Sequence, residues 1–257
     1  MKKSSKAENS YLICKNYEEL CEEAVQKILA LSKEAIEARN QFNLVLSGGS
    51  TPKDVYRKMA SPSYRNAFDW HKINLFWGDE RWVPPSESRS NYGMVAEALL
   101  TRVDIPYQNI HPIKTSEANP QITAAAYEKE LQAHFGLGKG EIPTFDLILL
   151  GVGQDGHVAS LFPDDVEALN EKNRLIIPTH IRETEQFRIS LTFPVINHAR
   201  HILFLVSGGE KSKILQSIFE GPSPEKILPV QNVHPAHGTV HWLMDKSAAS
   251  LLKHVDS

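Results

Sequence analysis

The sequence predicts an α/β protein with a mostly parallel sheet, helices on both faces and a functional site at the carboxyl ends of the strands. Two observations support this fold class. Short, almost continuous apolar runs of strand length recur along the chain, and each leads into a glycine-containing loop and often a helix-like stretch. Strands that are apolar on both faces are typical of parallel sheets covered on both sides, in which ligands bind beyond the carboxyl ends of the strands.

The individual elements follow in chain order. Residues 1–10 are polar and basic and are expected to be disordered, while residues 11–257 are expected to form one α/β domain. From Tyr17 to Arg39, apolar side chains recur at helical spacing and predict an amphipathic helix. Four apolar runs then predict strands that each lead into a glycine-containing loop: 42–46, 73–77, 146–150 and 201–206.

Composition excludes several classes of function. With 41% hydrophobic residues, 23% charged residues and a formal net charge of -3, the chain is not expected to bind nucleic acid, which requires a clustered basic excess. No apolar run approaches the roughly 20 residues of a membrane span, and none follows the N-terminus as in a signal peptide. Cys14 and Cys21 are too few for a disulfide framework and are expected to be reduced thiols. We therefore expect a cytoplasmic protein.

The loop after the first apolar run, residues 47–52, has the features of an anion-binding helix start. Gly48 and Gly49 allow a tight turn, Thr51 is a good N-cap, and Pro52 suits the first helical turn. Helix-start N–H groups and two hydroxyls are well suited to phosphate, although a capped helix after a tight turn would explain the same residues. The loop lacks the Gly-Lys-Ser/Thr ending of a Walker A motif.

The loop after the third apolar run, residues 151–157, contains a candidate general base. His157 lies two residues after Asp155 among glycines; histidine is the usual general base, and a nearby carboxylate can orient it. A spacing of two leaves open that the side chains point apart, and a structural histidine is the alternative. The G-x-G-x-x-G pattern here is not a dinucleotide fingerprint, because Pro163 follows where a long helix would have to run.

The remaining strand exits supply charged candidates. Asp79, Glu80 and Arg81 follow the second run, and Arg188 and Lys211 lie near later strand ends. Arginine and lysine are natural phosphate ligands, although each residue taken singly is also explained as a surface charge or ion pair.

Two other kinds of site are not expected. A G-x-S-x-G nucleophile elbow is absent, which argues against a covalent serine hydrolase. His234, His237 and His241 do not form an H-E-x-x-H motif, so no metal site is expected there.

Taken together, the loops resemble those of the 6-phosphogluconolactonase family, within the wider glucosamine-6-phosphate isomerase/deaminase superfamily. The matching segments are LSGGSTP at 46–52, FWGDERWVP at 76–84, SRSNYGM at 88–94, LLGVGQDGHVASLFP at 149–163, RISLTFPVIN at 188–197 and SGGEKSKIL at 207–215. They cover nearly the whole chain in order. The resemblance implies a Rossmann-like fold and hydrolysis of 6-phosphoglucono-1,5-lactone in the pentose phosphate pathway, with no metal or cofactor.

The resemblance also implies roles for individual residues. It suggests that the substrate and its phosphate are held by Gly49, Ser50, Thr51, Arg81, Asn91, Arg188 and Lys211, with Asn91 on the cleft wall. It suggests His157 as the base that activates water, with Asp79 and Asp155 nearby. The ligand would be a small sugar-phosphate lactone, and the protein a monomer or small homo-oligomer.

Three alternatives share this scaffold. Amino-sugar deaminases typically follow D-G-H with a segment resembling F-N-E-P, whose Glu assists ring opening, whereas residues 159–163 here read ASLFP. A sugar-phosphate sensor without turnover is the second alternative, because related folds serve as effector domains. An inactive paralogue is the third, and the complete set of charged candidates argues against it.

Overall fold

The computed structural model describes residues 8–181, 184–221 and 228–253. Of the segment expected to be disordered, residues 1–7 lie outside this part of the chain. Residues 8–10 begin strand β1 (Glu8–Cys14), which pairs in parallel with a strand near the end of the chain. The prediction was wrong for these three residues because long-range pairing, which a polar local sequence does not indicate, decides whether an edge segment is a strand.

The predicted helix is α1 (Tyr17–Arg39), with the predicted bounds. Asn16 caps its start by accepting a hydrogen bond from the Glu19 N–H (2.9 Å), and Asn40 ends it in a left-handed conformation. The other helices are α2 (Ser50–Met59), α3 (Asn91–Ala98), α4 (Pro120–Phe135), α5 (Val166–Asn170), α6 (Phe193–Ile196) and α7 (Ser212–Phe219). Within the described ranges, none combines the length and the apolar character of a membrane span.

The strands after β1 include all four predicted from the apolar runs. They are β2 (Phe42–Leu46), β3 (Ile73–Trp77), β4 (Asp79–Arg81), β5 (Ile110–His111), β6 (Leu147–Leu150), β7 (Ile176–Ile181), β8 (Gln186–Leu191), β9 (His201–Val206) and β10 (Thr239–Asp245). Seven of the described strands form one parallel sheet in the order β1-β10-β9-β6-β2-β3-β5. Every residue of β2, β3 and β6 is buried, so both faces of the central sheet are covered, as predicted.

The sheet order brings the candidate loops together. The predicted loops follow β9, β6, β2 and β3, which are consecutive neighbours in the sheet. From β2 the chain adds strands toward one edge of the sheet, first β3 and then β5, whereas from β6 it adds β9 and β10 toward the other edge. The direction of strand addition therefore reverses between β2 and β6. In open α/β sheets such a reversal opens a crevice at the carboxyl ends of the two strands, where ligands bind.

A second, antiparallel sheet of order β4-β8-β7 lies beside this crevice and was not predicted. Its first strand, Asp79–Arg81, consists only of charged residues, and its pairing therefore leaves no hydrophobic pattern in the sequence. The sheet is joined to the end of β3 by a hydrogen bond from the Leu191 N–H to the Gly78 carbonyl (2.8 Å). Its register places Arg81 directly opposite Arg188.

Candidate active site

A cavity of about 260 Å³ opens at the carboxyl ends of β2, β6 and β9, next to the antiparallel sheet. Most of the predicted site residues line it: Gly49, Ser50, Thr51, Asp79, Arg81, His157, Arg188 and Lys211. Asp155 and Asn91 contact lining residues from outside its wall. Sequence reasoning did not single out Ser47, Ser207 and Glu210, which also line the cavity. Their signal was their position in the loops that follow strands β2 and β9.

The first turn of α2 faces the cavity without a side-chain cap. The helix begins at Ser50, and its N-cap is Gly49 with φ 108°, a conformation that favours glycine. Thr51 was therefore wrongly predicted as the N-cap; it is the second helical residue, and its hydroxyl contacts the Ser207 hydroxyl at 2.7 Å. No side chain caps this helix start, and its first residues line the cavity, so its N–H groups and positive dipole lie at the cavity wall.

Tyr56 and Asn91 contact the loop before α2 and hold it in place. The buried Tyr56 hydroxyl accepts a hydrogen bond from the Ser47 N–H and donates one to the Ser47 carbonyl, both at 2.9 Å. A Cβ on Gly48 would lie 2.0 Å from Oδ1 of Asn91, so only glycine permits this close approach. Asn91 thus packs behind the loop of residues 47–49 rather than on the wall of the central cavity. It lines an adjoining cavity of about 420 Å³.

Three cationic side chains line the cavity without a carboxylate partner. Among the described residues, Arg81, Arg188 and Lys211 form no ion pair, and the Nε atoms of both arginines are buried without a hydrogen-bond partner. Burial lowers the pKa of Arg188, and the facing charge of Arg81 lowers it further. Two neighbouring guanidinium groups repel each other in a low-dielectric site, so an anion bound between them is favoured.

His157, which also lines the cavity, is oriented by Asp155. Nδ1 of His157 and Oδ1 of Asp155 are 2.6 Å apart, so the two side chains point together and not apart. Burial acts to raise the pKa of Asp155, but the hydrogen bond and charge of His157 outweigh it, and the net pKa is lowered. An ionised carboxylate only accepts, so Nδ1 carries the proton and Nε2 is the basic nitrogen.

Gly153 makes this pairing possible. A Cβ at this position would lie 2.1 Å from Nδ1 of His157 and 2.4 Å from Oδ1 of Asp155. The loop closes tightly through a hydrogen bond from the Gly153 N–H to the His157 carbonyl (2.9 Å) and another from the Gly156 N–H to the Gly153 carbonyl (3.0 Å). Any side chain at position 153 would therefore displace the histidine–aspartate pair.

The two acidic residues of β4, Asp79 and Glu80, are buried and accept hydrogen bonds from neighbouring segments of the site. Asp79 is 6% exposed and accepts hydrogen bonds from the Ser160 hydroxyl (2.7 Å) and from Nδ2 of Asn91 (3.2 Å). Glu80 is more deeply buried and accepts from the N–H groups of Asn91 and Tyr92 at the start of α3. Burial raises the pKa of Glu80 to about 7, although these backbone donors act to lower it. Between the two aspartates predicted near His157, Asp155 is the one that is hydrogen-bonded to it.

The histidines considered for a metal site have other partners. His241 contacts Thr239 Oγ1 (2.9 Å) and the Ser10 hydroxyl, and His234 contacts the Gln231 carbonyl (3.3 Å). In the portion of the chain that the structure describes, no group of three or more His, Cys, Asp or Glu side chains is arranged to hold a metal ion.

Comparison with known proteins identifies the family. Residues 15–242 match the family model of glucosamine-6-phosphate isomerases/6-phosphogluconolactonase. The 6-phosphogluconolactonase of Synechocystis is 42% identical over 93% of this chain and 96% of its own length. That of Haemophilus influenzae is 37% identical over 84% and 90%.

Solved structures agree with the sequence relatives. The 6-phosphogluconolactonase from Trypanosoma cruzi superposes with a TM-score of 0.83 at 29% identity, covering 98% of this chain and all of its own. A monomeric glucosamine-6-phosphate deaminase, 21% identical with a TM-score of 0.77, shares the fold. The resemblance stated from the loops is therefore confirmed, and this chain belongs to the family of glucosamine-6-phosphate isomerases and 6-phosphogluconolactonases.

Proposed function

We propose that this enzyme hydrolyses 6-phospho-D-glucono-1,5-lactone to 6-phospho-D-gluconate, a step of the oxidative pentose phosphate pathway. One observation carries the proposal: a single small cavity is lined by an uncapped helix start, an aspartate-oriented histidine and three cations that form no ion pair among the described residues. The cations and the helix start fit a phosphate, and the histidine fits water activation at a carbonyl. The names and overall similarity of the relatives support the same reaction.

The phosphate is the group that positions the substrate. In our proposal it docks at the start of α2, against Ser50 and Thr51, where Arg81, Arg188 and Lys211 neutralise it. Binding energy from this remote group holds the lactone carbonyl beside His157 and offsets the entropy of alignment. The cavity volume of about 260 Å³ is near the lower end of ordinary ligand sites and suits one small molecule.

The hydrolytic step uses His157 twice. Nε2 takes a proton from water while the water oxygen bonds to C1, which produces a tetrahedral oxyanion. Collapse of this intermediate breaks the bond between C1 and the ring oxygen, and the ring oxygen takes the proton from the imidazolium. The product acid then loses its proton to solvent. Asp155 keeps Nδ1 protonated and stabilises the imidazolium that forms between the two steps.

The oxyanion needs hydrogen-bond donors from the cavity wall. The N–H groups of Gly153 and Gly156 are already committed to bonds within their loop. A guanidinium group is the other candidate, and Arg188 and Arg81 both line the cavity.

The segment after the histidine loop favours hydrolysis over amino-sugar chemistry. When F-N-E-P is aligned with residues 160–163 on the shared proline, its glutamate corresponds to Phe162, whose ring cannot exchange protons. Ring opening of an amino sugar needs an acid or base, which the corresponding segment of the deaminases supplies as a glutamate. A cytoplasmic location, the absence of a nucleic-acid partner and a monomeric or small oligomeric state stay predictions.

The test is the rate at which freshly generated 6-phosphogluconolactone disappears, with the spontaneous rate subtracted. Acceleration proportional to enzyme concentration is the expected result. A disappearance rate equal to that in buffer would contradict the proposal. Ammonia release from glucosamine 6-phosphate in a parallel reaction would then indicate the deaminase activity instead.

A further inference from the structure

Phe162 contacts both the proposed base and one of the proposed phosphate ligands. Its ring centroid lies 4.7 Å from that of His157, with the planes tilted by 47°. On the same ring, Cζ of Arg188 lies 5.7 Å from the centroid, within the range of a cation–π contact. The ring therefore links the loop that carries the base to strand β8, which carries the cation.

Neither neighbour is fully fixed by other contacts. Within the described part of the chain, the imidazole of His157 forms one hydrogen bond, from Nδ1 to Asp155. A single bond at Nδ1 sets the direction of the imidazole but leaves its tilt free, whereas an aromatic ring packed against it restricts that tilt. Arg188 forms no ion pair among the described residues, so the phenyl face supplies an attractive contact that adds no negative charge of its own.

A purely structural role is the competing explanation. Phe162 also forms part of the wall of a neighbouring cavity of about 760 Å³, which Asp155 lines as well. A phenylalanine at such a wall is often only a space-filling residue. What distinguishes it here is that its two ring contacts are the proposed base and one of the proposed phosphate ligands, from distant parts of the chain.

We propose that Phe162 is a positioning residue, which holds the imidazole of His157 and the guanidinium of Arg188 in one fixed arrangement. The proposal rests on the lactonase function proposed above. Because the ring acts on two groups with different roles, its loss has two consequences. Misalignment of the base lowers kcat, and displacement of the guanidinium weakens binding of an anion even when no reaction takes place.

The experiment compares Phe162→Leu, which keeps apolar bulk without a π face, with Phe162→Tyr, which keeps the ring. Phe68→Leu is the matched control. It removes a ring from the Phe68–Trp70 pair, which precedes the amino end of β3, whereas the site lies at the carboxyl ends of the strands. For each protein, kcat and KM for 6-phosphogluconolactone, the Kd of inorganic phosphate and the melting temperature are measured.

The leucine variant is expected to lose about tenfold in kcat and about threefold in phosphate affinity, while the tyrosine variant stays within about twofold of wild type. The Phe68→Leu control is expected to change only the melting temperature. If Phe162→Leu does not fold, Phe162→Met provides the same comparison. Wild-type kcat and phosphate affinity in a ringless variant would overturn the proposal, as would equal losses in the leucine and tyrosine variants.

These outcomes separate the two proposals. If the wild-type protein does not accelerate lactone hydrolysis, the proposed function fails, whatever the variants do. If the wild type is active and the ringless variants match it in kcat and phosphate affinity, the proposed function stands and only the role of Phe162 is lost.

Discussion

Replacing Asp155 by asparagine tests the orientation of the proposed base. The substitution preserves the size of the side chain and removes its charge, at an oxygen that lies 2.6 Å from Nδ1 of His157. An amide can present either its oxygen or its NH₂ group to the imidazole. The variant therefore no longer fixes the proton on Nδ1 or stabilises the imidazolium that forms during hydrolysis.

The structure bounds the size of the effect. A hydrogen bond to a charged group contributes about 1.5–3 kcal/mol, which corresponds to about 10- to 150-fold in rate. The Asp155 side chain is 48% exposed and that of His157 is 31% exposed, so solvent screens the pair and the lower end of this range applies. We expect kcat to fall about tenfold, with little change in KM, because the phosphate ligands are untouched.

Stability gives an independent check on the same pair. The pKa of Asp155 is lowered from the ordinary 3.8, so its stabilising contribution is present above that value and is lost as the pH falls through the lowered pKa. The Asp155→Asn variant should therefore unfold more easily than wild type at neutral pH. The difference should disappear in strongly acidic solution.

The assay is lactone disappearance with the spontaneous rate subtracted, for wild type, Asp155→Asn and the control Asp69→Asn. Among the residues that the structure describes, Asp69 forms an ion pair only with Lys72, at 3.9 Å, and it does not line the cavity. A kcat within twofold of wild type for Asp155→Asn would refute the assigned orientation. So would an equal loss in the control variant.

Three further predictions concern the surroundings of the pair. Lys211→Ala should raise KM by about 10-fold or more with a smaller change in kcat. The control is Lys213→Ala, at an exposed residue nearby, which should leave both constants unchanged. Equal changes in the two variants would contradict phosphate binding by Lys211. Gly153→Ala should fold but lose about 100-fold in kcat, because the new Cβ displaces His157, and retained activity would show that the loop adjusts freely. Burial raises the pKa of Glu80 from 4.5 to about 7, so the free energy of unfolding should fall by ~3 kcal/mol as the pH rises through this interval. The Glu80→Gln variant should lack this fall. Identical pH profiles of wild type and variant in denaturant titrations would exclude a raised pKa of Glu80.

Much of the fold was predictable because the core strands are buried on both faces. Residues 42–46 and 73–77 are almost entirely apolar, and the structure has strands with these bounds. Helix α1 was predictable from its apolar spacing and has the predicted ends. The antiparallel sheet was not predictable, since Asp79–Arg81 has no apolar alternation and becomes a strand only by pairing with β8.

The site was predictable as a set of residues but not as a geometry. Loops after neighbouring parallel strands must lie together, which brought the Ser50 helix start and His157 to one cavity. Which carboxylate holds His157 depended on a tight turn that only the structure reveals, through the close approach at Gly153. Phe162 lies in a loop within one of the matching segments, but nothing local indicates that its ring contacts Arg188 on strand β8.

The central claim is that His157 is the base of a lactonase, and the most direct test is the His157→Ala variant. Its rate of 6-phosphogluconolactone loss, with the spontaneous rate subtracted, is compared with wild type alongside the Kd of inorganic phosphate. We predict that the catalysed rate falls by about 10²- to 10⁴-fold while phosphate binding is retained, because the cations and the start of α2 are unchanged. A variant that binds phosphate and hydrolyses the lactone at the wild-type rate would contradict the account.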